Sequence, residues 1–311
     1  MKTFLLFLMV MFSNACFLLG KTLPDNILAA PLLISTTNTI TGANATASGF
    51  YLEASNHVFL CTAAHVFSDD KKQVVFTDAR LTQHSWGDTN TLLSDVTIHL
   101  NALNSEGQIR FNLTHDVAVI RLGPVGTNGK PLIPTRYATE NESHAFVSML
   151  VCVRQEQTSR LTNVDVGDDV FVFGYPNSIG ILHALGVQQS PRFDYSAPLL
   201  RKGIVAGIYR DAKTITIDAT VYFGNSGGPV FEVDRSGFNV TKYSVIGVVT
   251  ELIPFYDESV SRELHSTSLN VSNSGYSVVQ PIDFIFDLLW PIFYSESLKS
   301  GGLPREGIAR Q

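Results

Sequence analysis

The 311-residue sequence has few of the features that mark several large classes of protein. It contains only three cysteines, with no Cys-x-x-Cys pair and no His/Cys cluster, which excludes a disulfide-rich scaffold and a recognisable metal motif. Only 16% of the residues are charged, the net charge is -6, and no run of five like charges occurs. This balance argues against a nucleic-acid partner, which requires a basic patch.

Long apolar runs are also missing beyond the N-terminus, where none reaches the roughly 18 residues that a spanning helix needs. The N-terminus itself is typical of a signal peptide. Lys2 precedes an apolar stretch at 4–12, and small residues follow at Ser13 and Ala15. We expect cleavage after Ala15 or Gly20, so residues 1–20 are predicted to be removed and the protein to be secreted or periplasmic. The alternative is an uncleaved membrane tether at 3–20.

Removal of Cys16 with that segment would leave Cys61 and Cys152, each inside an apolar run. An oxidising compartment would allow them to pair. Buried cysteines also occur as small apolar side chains, and we favour two free thiols.

Hydrophobic residues make up 45% of the chain, enough for a well-buried core, and their pattern predicts an all-β protein. Short runs rich in Val, Ile, Phe, Tyr and Thr alternate with turn residues, which favours a sandwich or barrel. The predicted strands are 49–53, 58–62, 73–77, 95–100, 117–122, 147–153, 169–174, 214–217, 229–233 and 244–250.

A polar break at 154–161 divides the strand-rich region into two halves. We predict one folded unit over 30–295, with a first barrel at about 30–153 and a second at about 162–280. A helix at 281–290 opens on Pro281 and stops before Pro291, and residues 296–311 form a disordered tail. We expect no appended peptide-binding module after Pro291.

Three short segments carry the chemistry of nucleophilic catalysis. They are TAAH ending at His65, HDVAVIRL containing Asp116, and GNSGGPV containing Ser226. Hydrolysis of an amide by a serine needs a base for the hydroxyl proton and an acid that orients that base. It also needs two N–H donors for the oxyanion, for which Gly224 and Ser226 are the candidates.

In this order and context the three segments resemble those of the trypsin-like serine peptidases, over roughly residues 45–290. The surrounding sequence is more similar to the bacterial and HtrA-like branch than to the digestive enzymes. The resemblance implies two six-stranded antiparallel β-barrels with a C-terminal helix. It also implies a His65–Asp116–Ser226 triad, polypeptide substrates and no metal or cofactor.

Two departures from the family pattern bear on activity and specificity. Digestive members have an Asp before the nucleophile that pairs with a newly cut N-terminus, whereas this chain has Asn225, so we expect activity without zymogen cleavage. The pocket-floor position is Thr220, which predicts a neutral, small to medium apolar P1 residue. Thr250 matches a Ser that supports the triad aspartate, and Glu251 beside it is the candidate for attracting basic substrates to the pocket rim.

Two other functions are weighed against this hypothesis. A binding protein on the same fold would be expected to have lost a triad member, and none is lost. Gly224 to Gly228 also match G-x-S-x-G, the nucleophile elbow of α/β-hydrolase esterases. That fold requires a helix after the serine and a histidine late in the chain, for which only His265 is present.

Overall fold

The computed structural model describes residues 23–37, 44–69, 71, 73–85, 92–141, 150–177, 194, 197–237, 240–261 and 266–299. In these residues the chain is mostly β-strand and ends in a long helix, which confirms the all-β class. The predicted signal segment at 1–20 and the tail from 300 onward lie outside the described residues.

The first unit follows a one-turn helix, α1 (Asp25–Leu28), and contains nine strands. They are β1 (Pro31–Thr37), β2 (Asn44–Ala54), β3 (His57–Ala63), β4 (Asp78–His84), β5 (Leu92–His99), β6 (Ile109–Asn112), β7 (Val117–Pro124), β8 (Ala138–Glu140) and β9 (Cys152–Arg154). The short helix α2 (Leu100–Ser105) joins β5 to β6.

This first unit differs from the six-stranded antiparallel barrel that was expected. In the described part of the chain its path runs β6-β7-β3-β2-β1-β4-β5-β8 without closing, and β9 pairs in parallel with β2. The additional strands β6, β8 and β9 are only three or four residues long. Such short segments show no alternation of their own and become strands by pairing with longer neighbours.

The second unit is a closed six-stranded barrel, as expected, with the order β10-β11-β12-β15-β14-β13. Its strands are β10 (Asp169–Gly174), β11 (Leu199–Tyr209), β12 (Thr214–Asp218), β13 (Pro229–Gly237), β14 (Val240–Ser261) and β15 (Ser266–Pro281). The last two strands are long and remain paired beyond the barrel as a hairpin, in which Tyr256 lies opposite Val271.

Three apolar clusters hold the molecule together: one inside each unit and one between them. The cluster between the units contains Phe50 and Phe59 from the first unit and Phe173 and Phe231 from the second. Because apolar area removed from water stabilises at about 25 cal/mol per Å², this shared cluster fixes the two units against each other. The shared cluster therefore holds the two walls of the cleft in place, and the site described below lies in this cleft.

The C-terminal helix, α3 (Ile282–Lys299), is longer than predicted and contains Pro291 in its interior. The prediction that the helix stops before Pro291 and that a tail begins at 296 is wrong. Proline removes one backbone hydrogen bond and normally disfavours a helix interior. Here Ile292 and Phe293 are buried, and their burial outweighs that cost.

Cys61 and Cys152 are both free thiols, in agreement with the favoured interpretation. Cys61 lies opposite Phe50 on β2, whereas Cys152 lies opposite the next residue, Tyr51. Successive residues of a strand point to opposite faces of the sheet. The two thiols therefore face opposite sides, and burial raises the pKa of Cys152 to about 12.

Candidate active site

His65 and Asp116 are in direct contact at the edge of the first unit. His65 lies in a single 3-10 turn (Ala64–Val66) directly after β3, and its Nδ1 is 2.6 Å from Asp116 Oδ2. The backbone N–H of His65 donates to Asp116 Oδ1 at 2.9 Å. With Nδ1–H donating to the carboxylate, the neutral imidazole presents Nε2 as a proton acceptor.

Asp116 is held in a backbone conformation that few residues adopt. It lies in the turn between β6 and β7 with φ of +49°, and its carbonyl accepts the Ala64 N–H at 3.1 Å. Left-handed non-glycine residues carry strain and concentrate at functional sites. Backbone and side chain of Asp116 thus both bind the turn that carries His65.

Ser226 lies three residues before β13 of the second unit, in a loop whose glycines are required by close packing. Gly224 and Gly227 have φ of +96° and +83°, where a side chain is strained. A Cβ on Gly224 would meet the Tyr175 carbonyl at 2.2 Å, and one on Gly227 would meet Thr62 Oγ1 at 2.0 Å. The loop is therefore seated directly against the first unit.

The carbonyls before Gly224 and Ser226 are turned into the protein. The Phe223 carbonyl accepts the Asn177 N–H at 3.0 Å, and the Asn225 carbonyl accepts the Gly228 N–H at 2.9 Å. In a trans peptide the N–H points opposite to the carbonyl. The N–H groups of Gly224 and Ser226, which hydrogen-bond to no described residue, therefore point away from these contacts.

Asn225 precedes the nucleophile, at the position where the digestive enzymes have an Asp. Its Oδ1 accepts the Tyr222 N–H at 3.3 Å, its own N–H donates to the Tyr222 carbonyl at 3.0 Å, and it is buried. The side chain thus closes the turn that precedes Ser226 through local hydrogen bonds.

Two cavities flank the site, and both are bordered by His65, Ser226 and Phe223. One, of about 350 Å³, extends toward the first unit and is lined by Ile34, Ala47, Val66 and Phe76 among others. The other, of about 290 Å³, is walled by Val221, Tyr222, Val249 and Leu252, with Thr250 and Glu251 beside them. The two cavities therefore share His65, Phe223 and Ser226 as common wall residues.

Of the two residues predicted to contribute to substrate binding, Thr250 borders a cavity of the site and Thr220 does not. Thr250 borders the 290 Å³ cavity with His65 and Ser226, but its hydroxyl makes no hydrogen bond to Asp116 among the described residues. Thr220 borders neither cavity and lies beside Gly275. The cavity wall begins one residue later, at Val221.

Several residues of the site carried no signal in the sequence. Phe223 borders both cavities and is 72% exposed. Ser48 and Asn177 contact the nucleophile loop from distant parts of the chain. A motif search finds groups that react, whereas these residues act through position, which only the fold defines.

The esterase alternative disagrees with the topology around Ser226. The residues after the serine form a strand, β13, whereas a nucleophile elbow runs from strand to helix. His265 lies outside the described residues. In the part of the chain that the structure describes, no three His, Cys, Asp or Glu side chains are grouped to hold a metal ion. None of the described helices is long and apolar enough to cross a membrane.

An open β unit and a closed β-barrel, with a His–Asp pair and a serine bordering the same cavities, are consistent with the double β-barrel of the chymotrypsin-fold class. A family model described as a trypsin-like peptidase domain matches residues 47–238, and the chain belongs to this peptidase family. The expected resemblance is thereby confirmed. A search of curated proteins found no match.

Three of the solved structures with a similar fold are proteases. The protease Anisep from Arthrobacter nicotinovorans has 14% identity and a TM-score of 0.45, over 82% of this chain and 90% of its own. The thermostable serine protease AL20 from an extremophilic microorganism has 13% identity and a TM-score of 0.46, over 82% and 92%. The active form of the Rv3671c protease from M. tuberculosis has 14% and 0.41, over 85% and 80%.

Proposed function

We propose that this chain is a serine endopeptidase with Ser226 as nucleophile, His65 as general base and Asp116 as the residue that orients the base. The observation that carries the proposal is the 2.6 Å contact between His65 Nδ1 and Asp116, with His65 and Ser226 bordering the same two cavities. Family membership supports the reaction class.

In the proposed reaction, Ser226 Oγ attacks the peptide carbonyl carbon while its proton passes to His65 Nε2. The Gly224 and Ser226 N–H groups stabilise the oxyanion. The carbon–nitrogen bond then breaks as His65 returns the proton to the departing amine, leaving an ester on Ser226. Water, deprotonated by His65, hydrolyses this ester and restores the enzyme.

The substrate side chain next to the scissile bond is proposed to be neutral and apolar. The 290 Å³ cavity is walled mainly by Val221, Tyr222, Val249 and Leu252. A volume of this size accepts a small to medium side chain. Among the described residues that line this cavity Glu251 is the only carboxylate, and replacing it with Gln tests whether basic side chains are also accepted.

Activity is proposed to require no zymogen cleavage beyond the removal of the signal segment. Leu23, Ile27 and Leu28 are buried in the cluster between the units, and β1 begins at Pro31. Cleavage at 21–35 would detach part of this core, while Asn225 closes its turn without an N-terminal partner. A precursor that stays inactive until it is cut in this region would contradict the proposal.

Export remains a proposal that rests on residues 1–20. Expression of the full chain, followed by mass spectrometry of the protein outside the cell or in the periplasm, tests it. A new N-terminus after Ala15 or Gly20 is expected, and an intact, membrane-retained chain would favour the tether.

Active-site labelling tests the catalytic proposal directly. A fluorophosphonate probe should label the wild type and Ser105→Ala, whose serine is exposed on α2, but not Ser226→Ala. Peptide hydrolysis should be lost in the same variant. If the correctly folded wild type is neither labelled nor active on a peptide library, a binding protein on this fold is the better interpretation.

A further inference from the structure

We propose that Asn177 is a positioning residue for the oxyanion hole, and that its anchor is Thr46 on the opposite unit. The inference rests on the proposed serine peptidase function. Asn177 follows β10, at the point where the chain leaves the second barrel, and Thr46 lies near the start of β2 in the first unit. The two residues are 131 positions apart in the sequence.

The first step of the argument is the orientation of one peptide. The N–H of Gly224 belongs to the peptide that joins Phe223 to Gly224, and the Phe223 carbonyl accepts the Asn177 N–H at 3.0 Å. This hydrogen bond keeps the carbonyl turned away from the cleft and the Gly224 N–H turned toward it. Rotation of the peptide would reverse both groups and remove one oxyanion donor.

Gly224 alone would not prevent this rotation. With φ of +96° and no side chain, it has the conformational freedom that other residues lack. The second donor, Ser226 N–H, is fixed separately, because the carbonyl of its peptide accepts the Gly228 N–H at 2.9 Å. Asn177 therefore controls one of the two donors and leaves the other in place.

The second step is what holds Asn177 itself. Its Nδ2 donates a 2.8 Å hydrogen bond to Thr46 Oγ1, and both residues border the 350 Å³ cavity. A Cβ on Gly224 would lie 2.9 Å from the Asn177 nitrogen, so the two segments are already in close contact. The hydrogen bond to Thr46 thus ties the donor of the critical bond to the unit that carries His65.

Three variants and a control test this role through steady-state kinetics on a peptide substrate. In Asn177→Ala and Thr46→Val we expect kcat to fall about 10- to 100-fold, somewhat less than the 10²–10³-fold cost of deleting an oxyanion donor. KM should stay within about threefold, because the donor acts on the transition state. Thr46→Ser keeps the hydroxyl and should retain kcat, as should Asn101→Ala on the exposed face of α2.

A peptide boronate provides the readout that a purely structural role would not change. Its tetrahedral adduct places an oxygen in the oxyanion hole, so its inhibition constant should rise by a factor similar to the fall in kcat. The concentration of active enzyme used to calculate kcat is the fraction that a fluorophosphonate labels at completion, which removes the effect of misfolded protein; KM and the inhibition constant do not depend on it.

The outcomes distinguish the two proposals. An inactive wild type would contradict the peptidase function, and the role of Asn177 in an oxyanion hole would fall with it. With an active wild type, unchanged kcat and boronate affinity in Asn177→Ala would overturn the positioning role. An increase in KM at constant kcat would also overturn it, since Asn177 would then contribute only to substrate binding.

Discussion

The Ser48 hydroxyl donates a 2.7 Å hydrogen bond to the Gly224 carbonyl and accepts one of 2.9 Å from the Tyr175 N–H. The Ser48 N–H donates to the Ser226 carbonyl at 2.9 Å. One fully buried serine on β2 thus holds the carbonyls on both sides of Asn225. The first unit therefore holds the nucleophile loop of the second through hydrogen bonds to the backbone carbonyls of that loop.

Replacing Ser48 with alanine should lower both stability and turnover. The Gly224 carbonyl and the Tyr175 N–H would lose a shared partner in a site without water access, at a cost of about 1–3 kcal/mol. We expect a decrease of this size in the free energy of unfolding in urea, together with a lower kcat. Ser105→Ala, which removes an exposed hydroxyl, serves as the control. Equal stability of both variants would show that Ser48 is not a required clamp.

The histidine beside the triad aspartate has a structural role that can be tested separately. The rings of His115 and Phe284 on α3 are stacked, with centroids 3.5 Å apart and planes at 14°. A phenylalanine at 115 preserves this contact, so His115→Phe should retain kcat within about threefold. His65→Phe should lose activity by at least about 10³-fold. A comparable loss in His115→Phe would instead assign that imidazole to the chemistry.

The same stack predicts a large effect of the partner ring on stability. Phe284 is buried in the cluster between the units. Phe284→Ala should lower the free energy of unfolding by about 3–5 kcal/mol, the usual cost of removing a buried aromatic ring. Phe255→Ala, at an exposed position on the β14–β15 hairpin, should change it little. Thermal unfolding of the two variants side by side measures the difference.

The sequence predicts the buried strands of the fold better than its short or exposed segments. Predicted segments 49–53, 58–62, 117–122 and 229–233 lie within β2, β3, β7 and β13, because buried strands have a strong apolar pattern. The strand at 73–77 is not present, since only Val74 forms an isolated bridge with Ser68. The predicted 147–153 overlaps β9 only at its end, and residues 147–149 lie outside the described residues.

Strands without such a pattern were missed for a physical reason. The first part of β15 is rich in Ser and Asn and becomes a strand by pairing with β14, as where Asn270 lies opposite Asp257. In β11, charged Arg201 and Lys202 together with two glycines conceal a strand that closes the barrel. Pairing partners decide these segments, and a single-sequence pattern does not contain them.

In the candidate site, too, some residues are predictable from the sequence and others are not. The motifs predict His65, Asp116 and Ser226, and those are the residues for which chemistry restricts the choice of side chain. Ser48 and Asn177 hold the loop by hydrogen bonds to distant backbone groups, 176 residues away for Ser48 and Gly224. Many residue types offer such bonds, so their role becomes visible only when the fold brings the segments together.

Phe223 should determine how tightly substrates bind on both sides of the scissile bond. Its ring is 72% exposed and borders both cavities, so a bound peptide would cover it. Burying an aromatic side chain contributes about 1.5–3 kcal/mol, so Phe223→Ala should lower kcat/KM about 10- to 100-fold, mainly through KM. Leu269→Ala, exposed on the hairpin, is the matched control. Stability should not change in either variant.

A peptide library with apolar residues on one side or both sides of the bond separates the contributions of the two cavities. The loss in Phe223→Ala should be largest for peptides that are apolar on both sides. A loss of equal size for all peptides, or a lower kcat at constant KM, would contradict a role of Phe223 in substrate binding.

Glu232 provides a prediction for the dependence of stability on pH. It is buried beside a cavity of about 510 Å³ that Asp165, Asp168 and Asp234 also border. Burial, together with a hydrogen bond to the Asp168 carboxyl, raises the pKa of Glu232 from 4.5 to about 7. The folded state therefore holds this proton more tightly than the unfolded state does.

The contribution of Glu232 is fully present below pH 4.5 and is lost as the pH rises through about 7. Glu232→Gln is neutral at every pH and keeps a donor toward Asp168. The free energy of unfolding of the variant minus that of the wild type should therefore grow between these two values and then level off. Asn163→Ala, which changes an exposed and non-ionisable residue on the same cavity, should show no such trend. Urea unfolding at pH 4.5, 6 and 8 measures the difference, and a value independent of pH would show that the folded state does not raise the pKa of Glu232.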